Sequence, residues 1–165
     1  MKSRFVLVFA LSGVSVFTGC FRSAHLYPVE GPLAEQTSSP VLAGKMTGEF
    51  NWGKLSVKLA DGEVLSGPWK AISEKDRVQN VAGSGPSFNL ASAWDMVYGQ
   101  GFYNSHVLGT PLFARAALTG RQDTVLQVEM YREEHGSDTD RHGVAQLDFK
   151  GVAQDNKGNI YKLVL

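Results

Sequence analysis

The stretch from Lys54 to Trp69, KLSVKLADGEVLSGPW, constrains the fold of this chain more than any other. Leu55, Val57 and Leu59 alternate with Ser56, Lys58 and Ala60, and Asp61-Gly62 follows before Val64-Leu65. Successive side chains of a strand point to opposite faces, so this order gives one apolar and one polar face. Asp-Gly between two such runs is a strong hairpin signal, because both residues tolerate the positive φ of a tight turn. With Asp61 and Gly62 as the two turn residues, Leu59 faces Val64 across the strands. Gly67-Pro68 then ends the second strand, with Trp69 beyond it.

Two later stretches repeat the pattern. Leu112, Ala114, Ala116 and Leu118 lie opposite Arg115, and Leu126, Val128 and Met130 lie opposite Gln127 and Glu129, with Gly120-Arg121-Gln122-Asp123 between the two runs. Residues 151–165 read as a hairpin around Asp155-Asn156-Lys157-Gly158, in which Ile160, Lys162 and Val164 alternate with Tyr161, Leu163 and Leu165. Such a last strand, apolar on both faces, belongs inside a sheet rather than at its edge. The polar run from Arg132 to Gly143 reads as an exposed loop, as do residues 73–87.

Between these hairpins, Leu90, Trp94, Val97 and Tyr98 follow the i, i+4, i+7, i+8 spacing of a helix face. Ser87 or Asn89 is the candidate N-cap and Gly99 the stop; a strand with a bulge is the alternative reading. Apolar content of 43% with 10% aromatic residues supplies a core, and 18 glycines supply turns. The fold class that follows is mainly β: a small antiparallel barrel or curved sheet built of hairpins, with one short helix.

The amino terminus carries a different signal. Lys2 and Arg4 precede an uncharged run from Phe5 to Phe17, too short for the roughly 20 apolar residues of a membrane-spanning helix. The order of charge and apolar run is that of an export signal. Phe17-Thr18-Gly19-Cys20 follows it, and Cys20 is the only cysteine in the chain. Here the sequence resembles bacterial lipoproteins, whose lipobox places small residues before a cysteine that is joined to lipid through its sulfur and becomes the new first residue. Thr18 and Gly19 match that pattern, Phe17 stands where leucine is usual, and Cys20 is the lipidated position the resemblance implies. Stable anchoring takes more than one acyl chain, which such a modification supplies.

The blocks MTGEF, LADGEVLSGPW, SAWDMVYGQGFYNSHVLG and GVAQDNKGNIYKLVL are similar to those of a family of small uncharacterised bacterial lipoproteins. That resemblance implies a bacterial envelope location and carries no catalytic residue with it. In Gram-negative lipoproteins an Asp after the lipidated Cys commonly causes inner-membrane retention. Phe21 stands there, so the outer membrane, facing the periplasm, is the destination implied for such a cell.

Three segments follow: residues 1–19 as lipoprotein signal peptide, 20–44 as lipidated N-terminus and tether, and 45–165 as a single β-rich domain. Pro28, Pro32, Pro40 and the polar patch from Glu35 to Ser39 suit a tether, although Leu26-Tyr27-Pro28-Val29 is apolar enough to pack on the domain. At about 3.3 Å per residue such a tether reaches on the order of 80 Å when extended. Basic and acidic residues number 16 each, and two of the basic ones, Lys2 and Arg4, lie in the signal. The remaining slight acidic excess argues against nucleic acid as a partner.

Chemistry is sparse. Glu133, Glu134, His135, Asp138, Asp140 and His142 match neither an EF-hand nor an H-E-x-x-H zinc motif, and a solvated connection between strands accounts for them. The expectation is no metal, no cofactor and no assigned catalytic residue. Ala82-Gly83-Ser84-Gly85-Pro86 lacks the Gly-Lys-Ser/Thr of a phosphate-binding loop and reads as a turn. The aromatic segment from Trp94 to Gly109 is the place to seek a binding site, with Trp94, Tyr103 and His106 as candidates. Trp52, Trp69, Phe102 and Tyr103 form an aromatic platform only if they share an exposed face; core packing is the other use for them. The function implied is an anchored envelope module that binds an envelope protein, a wall polymer or a small ligand. An envelope enzyme using His106 or residues 133–142, a hydrolase or a metal-dependent protein, is the alternative.

Overall fold

A computed structural model describes residues 21–49, 51–72, 90–108, 113–139 and 145–165. Eight strands follow one another: β1 (Phe21–Glu30), β2 (Leu42–Glu49), β3 (Trp52–Lys58), β4 (Val64–Ala71), β5 (Phe113–Thr119), β6 (Val125–Thr139), β7 (Ala145–Asp155) and β8 (Ile160–Val164). Each pairs antiparallel with the next, and β8 pairs with β1, closing the sheet into a barrel. Closure removes the exposed edges that an open sheet of hairpins leaves. One α-helix, α1 (Ala91–Tyr98), lies in the connection from β4 to β5.

The barrel interior is filled. Ala24, Leu26, Leu42, Met46, Leu55, Val57, Leu65, Trp69, Ala116, Leu118, Leu126, Val128, Met130, Ala153, Tyr161 and Leu163 pack in one buried cluster to which every strand contributes, β7 through Ala153. Eight strands leave an interior that side chains alone can fill. The outward positions of β2, β3 and β4 carry Lys45, Lys54, Lys58 and Lys70, all exposed. Apolar inside and polar outside is the reverse of a barrel that faces lipid.

The hairpins over residues 113–131 and 151–164 form as their alternation requires. Thr119 pairs with Val125, and Gln154 with Ile160. β8 pairs on both sides, as its two apolar faces predict. The first hairpin differs by one residue: Lys58, not Leu59, faces Val64. Leu59 N–H donates to Glu63 O at 2.8 Å, so Ala60, Asp61 and Gly62 form a three-residue turn with Gly62 at φ 88°. A three-residue loop with a positive-φ residue at its end is the next commonest hairpin connection after the two-residue one. A one-residue shift exchanges the faces. Val64 accordingly lies outside at 57% exposure, while Glu63 turns inward.

Three further expectations are corrected. Residues 21–30, assigned to a tether, form β1 and close the barrel, with Ala24 and Leu26 fully buried. Prolines suggested a linker, but Pro28 stands beyond the last β1–β2 pair and beside a bulge against β8, where the ladder is already interrupted. Gly67-Pro68 does not end β4; Lys54 still pairs with Pro68, while on the other side β5 pairs with Ser66 and then Trp69. The missing proline donor falls in that gap, and Trp69 turns into the core.

Of the run from Arg132 to Gly143, residues 132–139 belong to β6. β6 and β7 stay paired from Leu126↔Asp155 to Glu134↔Leu147 and again at Thr139↔Ala145. Pairing with β5 stops at Tyr131 and pairing with β8 at Lys150, so the rest is a two-stranded ribbon beyond the barrel.

Candidate functional site

Helix α1 forms where its spacing predicts. It begins after Leu90, which makes no side-chain capping bond, and ends at Gly99, whose φ of 109° favours glycine. The proposed caps Ser87 and Asn89 lie outside the described residues. Leu90, Ala93 and Trp94 pack against Tyr131, Val152 and Ile160, which are outward residues of β6, β7 and β8. A π-helical turn, Tyr103–Val107, follows. It is held by Leu108 N–H donating to Tyr103 O at 2.8 Å and Tyr103 N–H donating to Asp95 Oδ1 at 2.9 Å.

These two elements place Trp94, Tyr98, Phe102 and His106, each four residues on from the last, in one column. Centroid distances are 5.4 Å for Trp94–Tyr98, 4.9 Å for Tyr98–Phe102 and 4.5 Å for Phe102–His106, all stacked. Tyr131 meets Trp94 edge-on at 5.7 Å. The column runs from a fully buried ring at Trp94 to an exposed one at His106. Lysines flank it: Lys162 Nζ lies 5.5 Å from the Tyr98 ring and Lys150 Nζ 5.7 Å from that of Phe102. Each contact of this kind contributes about 0.5–1 kcal/mol at an exposed site.

At its buried end the column covers a carboxyl group. Trp94 Nε1 donates to Glu129 Oε2 at 2.9 Å, and Arg115 Nε donates to Glu129 Oε1 at 2.9 Å. Arg115 and Glu129 are directly paired across β5 and β6. Glu129 has 0% exposure although it lies on the outside of the barrel, because α1 roofs it. Burial raises its carboxyl pKa above the ordinary 4.5, against the opposing pull of Arg115 and the two hydrogen bonds.

The candidates Trp94, Tyr103 and His106 are thus brought to one region, but with unequal roles. Trp94 is a packing and hydrogen-bonding residue, Tyr103 is half-buried against the same cluster, and His106 is exposed. Among the described residues no hydrogen bond or ion pair joins His106 to a carboxylate, so the geometry of a nucleophile, base and orienting acid is not assembled there. The four-membered aromatic platform does not form either. Trp69 is buried inside the barrel, and Trp52 on β3 stands half-way round the eight strands from Phe102, whose lysine partner is on β7.

Among the described residues no group of three or more His, Cys, Asp or Glu is placed to hold a metal. Asp140 and His142 of the acidic cluster lie outside those residues, as does the loop from Ala82 to Pro86. Two buried polar networks that sequence reasoning missed close the end of the barrel where its short turns lie. Glu63 accepts from Gln122 N–H at 2.7 Å and Thr124 Oγ1 at 2.9 Å. Asp155 accepts from Lys157 N–H and Asn159 N–H at 2.9 Å, Asn159 Nδ2 at 2.8 Å and Tyr161 Oη at 2.7 Å. Burial and the bond to Asp155 push the Tyr161 phenol well above its ordinary pKa. Both networks have their acceptors satisfied by neighbouring donors, which is the arrangement of structural carboxylates.

The chain matches no family model, no curated protein and no solved structure. Its chemistry therefore rests on its own geometry: a filled barrel, a roofed aromatic column and an amino-terminal strand that begins one residue after Cys20. Among the described residues no helix is long and apolar enough to cross a membrane.

Proposed function

We propose that this chain is a bacterial envelope lipoprotein, held to a membrane by lipid on Cys20, whose barrel is a non-enzymatic binding module. The reading rests first on the order charge, apolar run, small residues, cysteine in residues 1–20, and on the similarity of its sequence blocks to small uncharacterised bacterial lipoproteins. The observation that carries the binding role is the filled interior. With Trp69, Tyr161 and the inward leucines packed together, recognition falls to the outer surface. The exposed end of the aromatic column, His106 with the flanking Lys150 and Phe102, is the part of that surface best suited to an envelope protein, a wall polymer or a small ligand.

The test is mass spectrometry of the amino-terminal peptide from cells, with fractionation of wild type and Cys20→Ser. The expected result is a peptide starting at residue 20 with acyl mass, and transfer of the protein out of the membrane fraction in Cys20→Ser. A bare thiol on a freely extractable protein refutes the anchor. For the binding role, crosslinking in intact cells should capture a partner with wild type and lose it with His106→Ala; equal capture by both removes the column from consideration.

A further inference from the structure

Residue 20 and Phe21 are adjacent in the chain, so their Cα atoms are about 3.8 Å apart. Because β1 starts at Phe21, lipid on Cys20 leaves no tether: the barrel lies against whatever surface holds the lipid. The side nearest that junction is distinctive. Phe21 is 60% exposed and Trp52 72% exposed, and both sit at the end of the barrel where β1 and β3 begin. Lys45 Nζ lies 4.3 Å from the Phe21 ring, Thr47 opposite Phe21 pairs onward with Lys54, and Trp52 pairs with Lys70.

We infer that the outer flank of β1–β4 at this end, built from Phe21, Trp52, Lys45, Lys54 and Lys70, is a docking surface for an anionic lipid bilayer. This rests on the anchored reading above, which sets the orientation. Aromatic rings with one apolar body settle at the level of lipid headgroups, and lysines beside them extend their ammonium groups to the phosphates. Lys45, Lys54, Lys58 and Lys70 are all exposed on these strands, and the sequence of residues 21–27, 43–49, 52–58 and 64–70 holds one acidic residue, Glu49. An anionic surface therefore attracts this flank, and with the anchor beside Phe21 it is the β1–β4 flank that turns to the bilayer.

All eight strands and both buried clusters lie within residues 21–165, so the mature chain from residue 20 is the folding unit to test. Cys20→Ser protein of that length is mixed with vesicles of phosphatidylethanolamine and phosphatidylglycerol, or of phosphatidylcholine alone. Co-sedimentation is expected with the anionic vesicles only, weakened by salt. Brominated acyl chains are expected to quench its fluorescence, and Trp52→Phe to abolish that quenching, because Trp69 and Trp94 are buried. Changing Lys45, Lys54 and Lys70 together to Gln is expected to lower the partition coefficient about a hundredfold. All these side chains but Lys45, which touches Phe21, lie clear of the described packing, and circular dichroism checks each variant's fold. Absence of binding, equal binding by the lysine variant, or quenching that survives Trp52→Phe overturns the proposal. A bare thiol on residue 20 of the cellular protein refutes the anchor instead, and leaves the vesicle result to stand by itself.

Discussion

Glu129 concentrates most of the chemistry in this fold: a carboxyl without exposed surface, held by Trp94 and Arg115 and raised above its ordinary pKa by burial. The folded chain keeps a proton there at pH values where the unfolded chain has released it. Unfolding in that window releases the proton, so stability is greatest below the ordinary 4.5 and falls as pH rises towards the raised value. Glu129→Gln should flatten this fall while keeping an acceptor for the indole, as urea denaturation of both proteins across acid to neutral pH will read. Trp94→Phe leaves the buried Glu129 carboxyl short of a donor, and is expected to cost about 1–3 kcal/mol in urea denaturation, the usual range for a buried acceptor that loses its partner. The Arg115–Glu129 pairing is not legible in the connection Gly120–Asp123, which would set Arg115 opposite Val128; the five-residue turn at 120–124 brings Glu129 there instead. That Trp94 covers them is not legible either, because a helix spacing does not say which surface it will roof.

At the scale of elements, alternation and spacing locate β3 to β8 and α1, while single residues decide register. In the first hairpin Gly62 sets a three-residue turn in place of the expected two, and every side chain after it changes face. Gly53 shows how tightly neighbouring strands are fitted. A Cβ there would run into Thr47 O and Trp69 Nε1, whose own hydrogen bond, Nε1 to Thr47 O, spans 2.9 Å. Gly53→Ala is therefore expected to destabilise by about 1–3 kcal/mol, the range for overpacked sites, with a matching fall in thermal midpoint. Gly62 meets nothing within 4 Å, so Gly62→Ala tests backbone conformation alone and is expected to cost about 1 kcal/mol. Equal losses at the two positions would contradict the steric account of Gly53.

For the whole molecule, closure depends on β1, which pairs with β2 over six residues from Phe21 to Leu26 and with β8 from His25 to Glu30. Removing residues 21–30 should expose the edges of β2 and β8 and leave Leu26 and Ala24 out of the core; aggregation on size-exclusion chromatography is the expected outcome. A monomer of unchanged stability would mean that β1 is the tether its prolines suggested. The sequence by itself determined the class: alternating runs and turn dipeptides are local, so hairpins, one helix and an apolar inner face are written into short windows of chain. It also carries the charged-then-apolar opening and the single cysteine, whose order is read from a short window of chain alone. Only the tertiary structure decided that the first strand joins the last, that a polar run becomes a paired ribbon and that an outward glutamate is sealed from water. Each of these depends on contacts between residues far apart in the chain, whose partners no local pattern names.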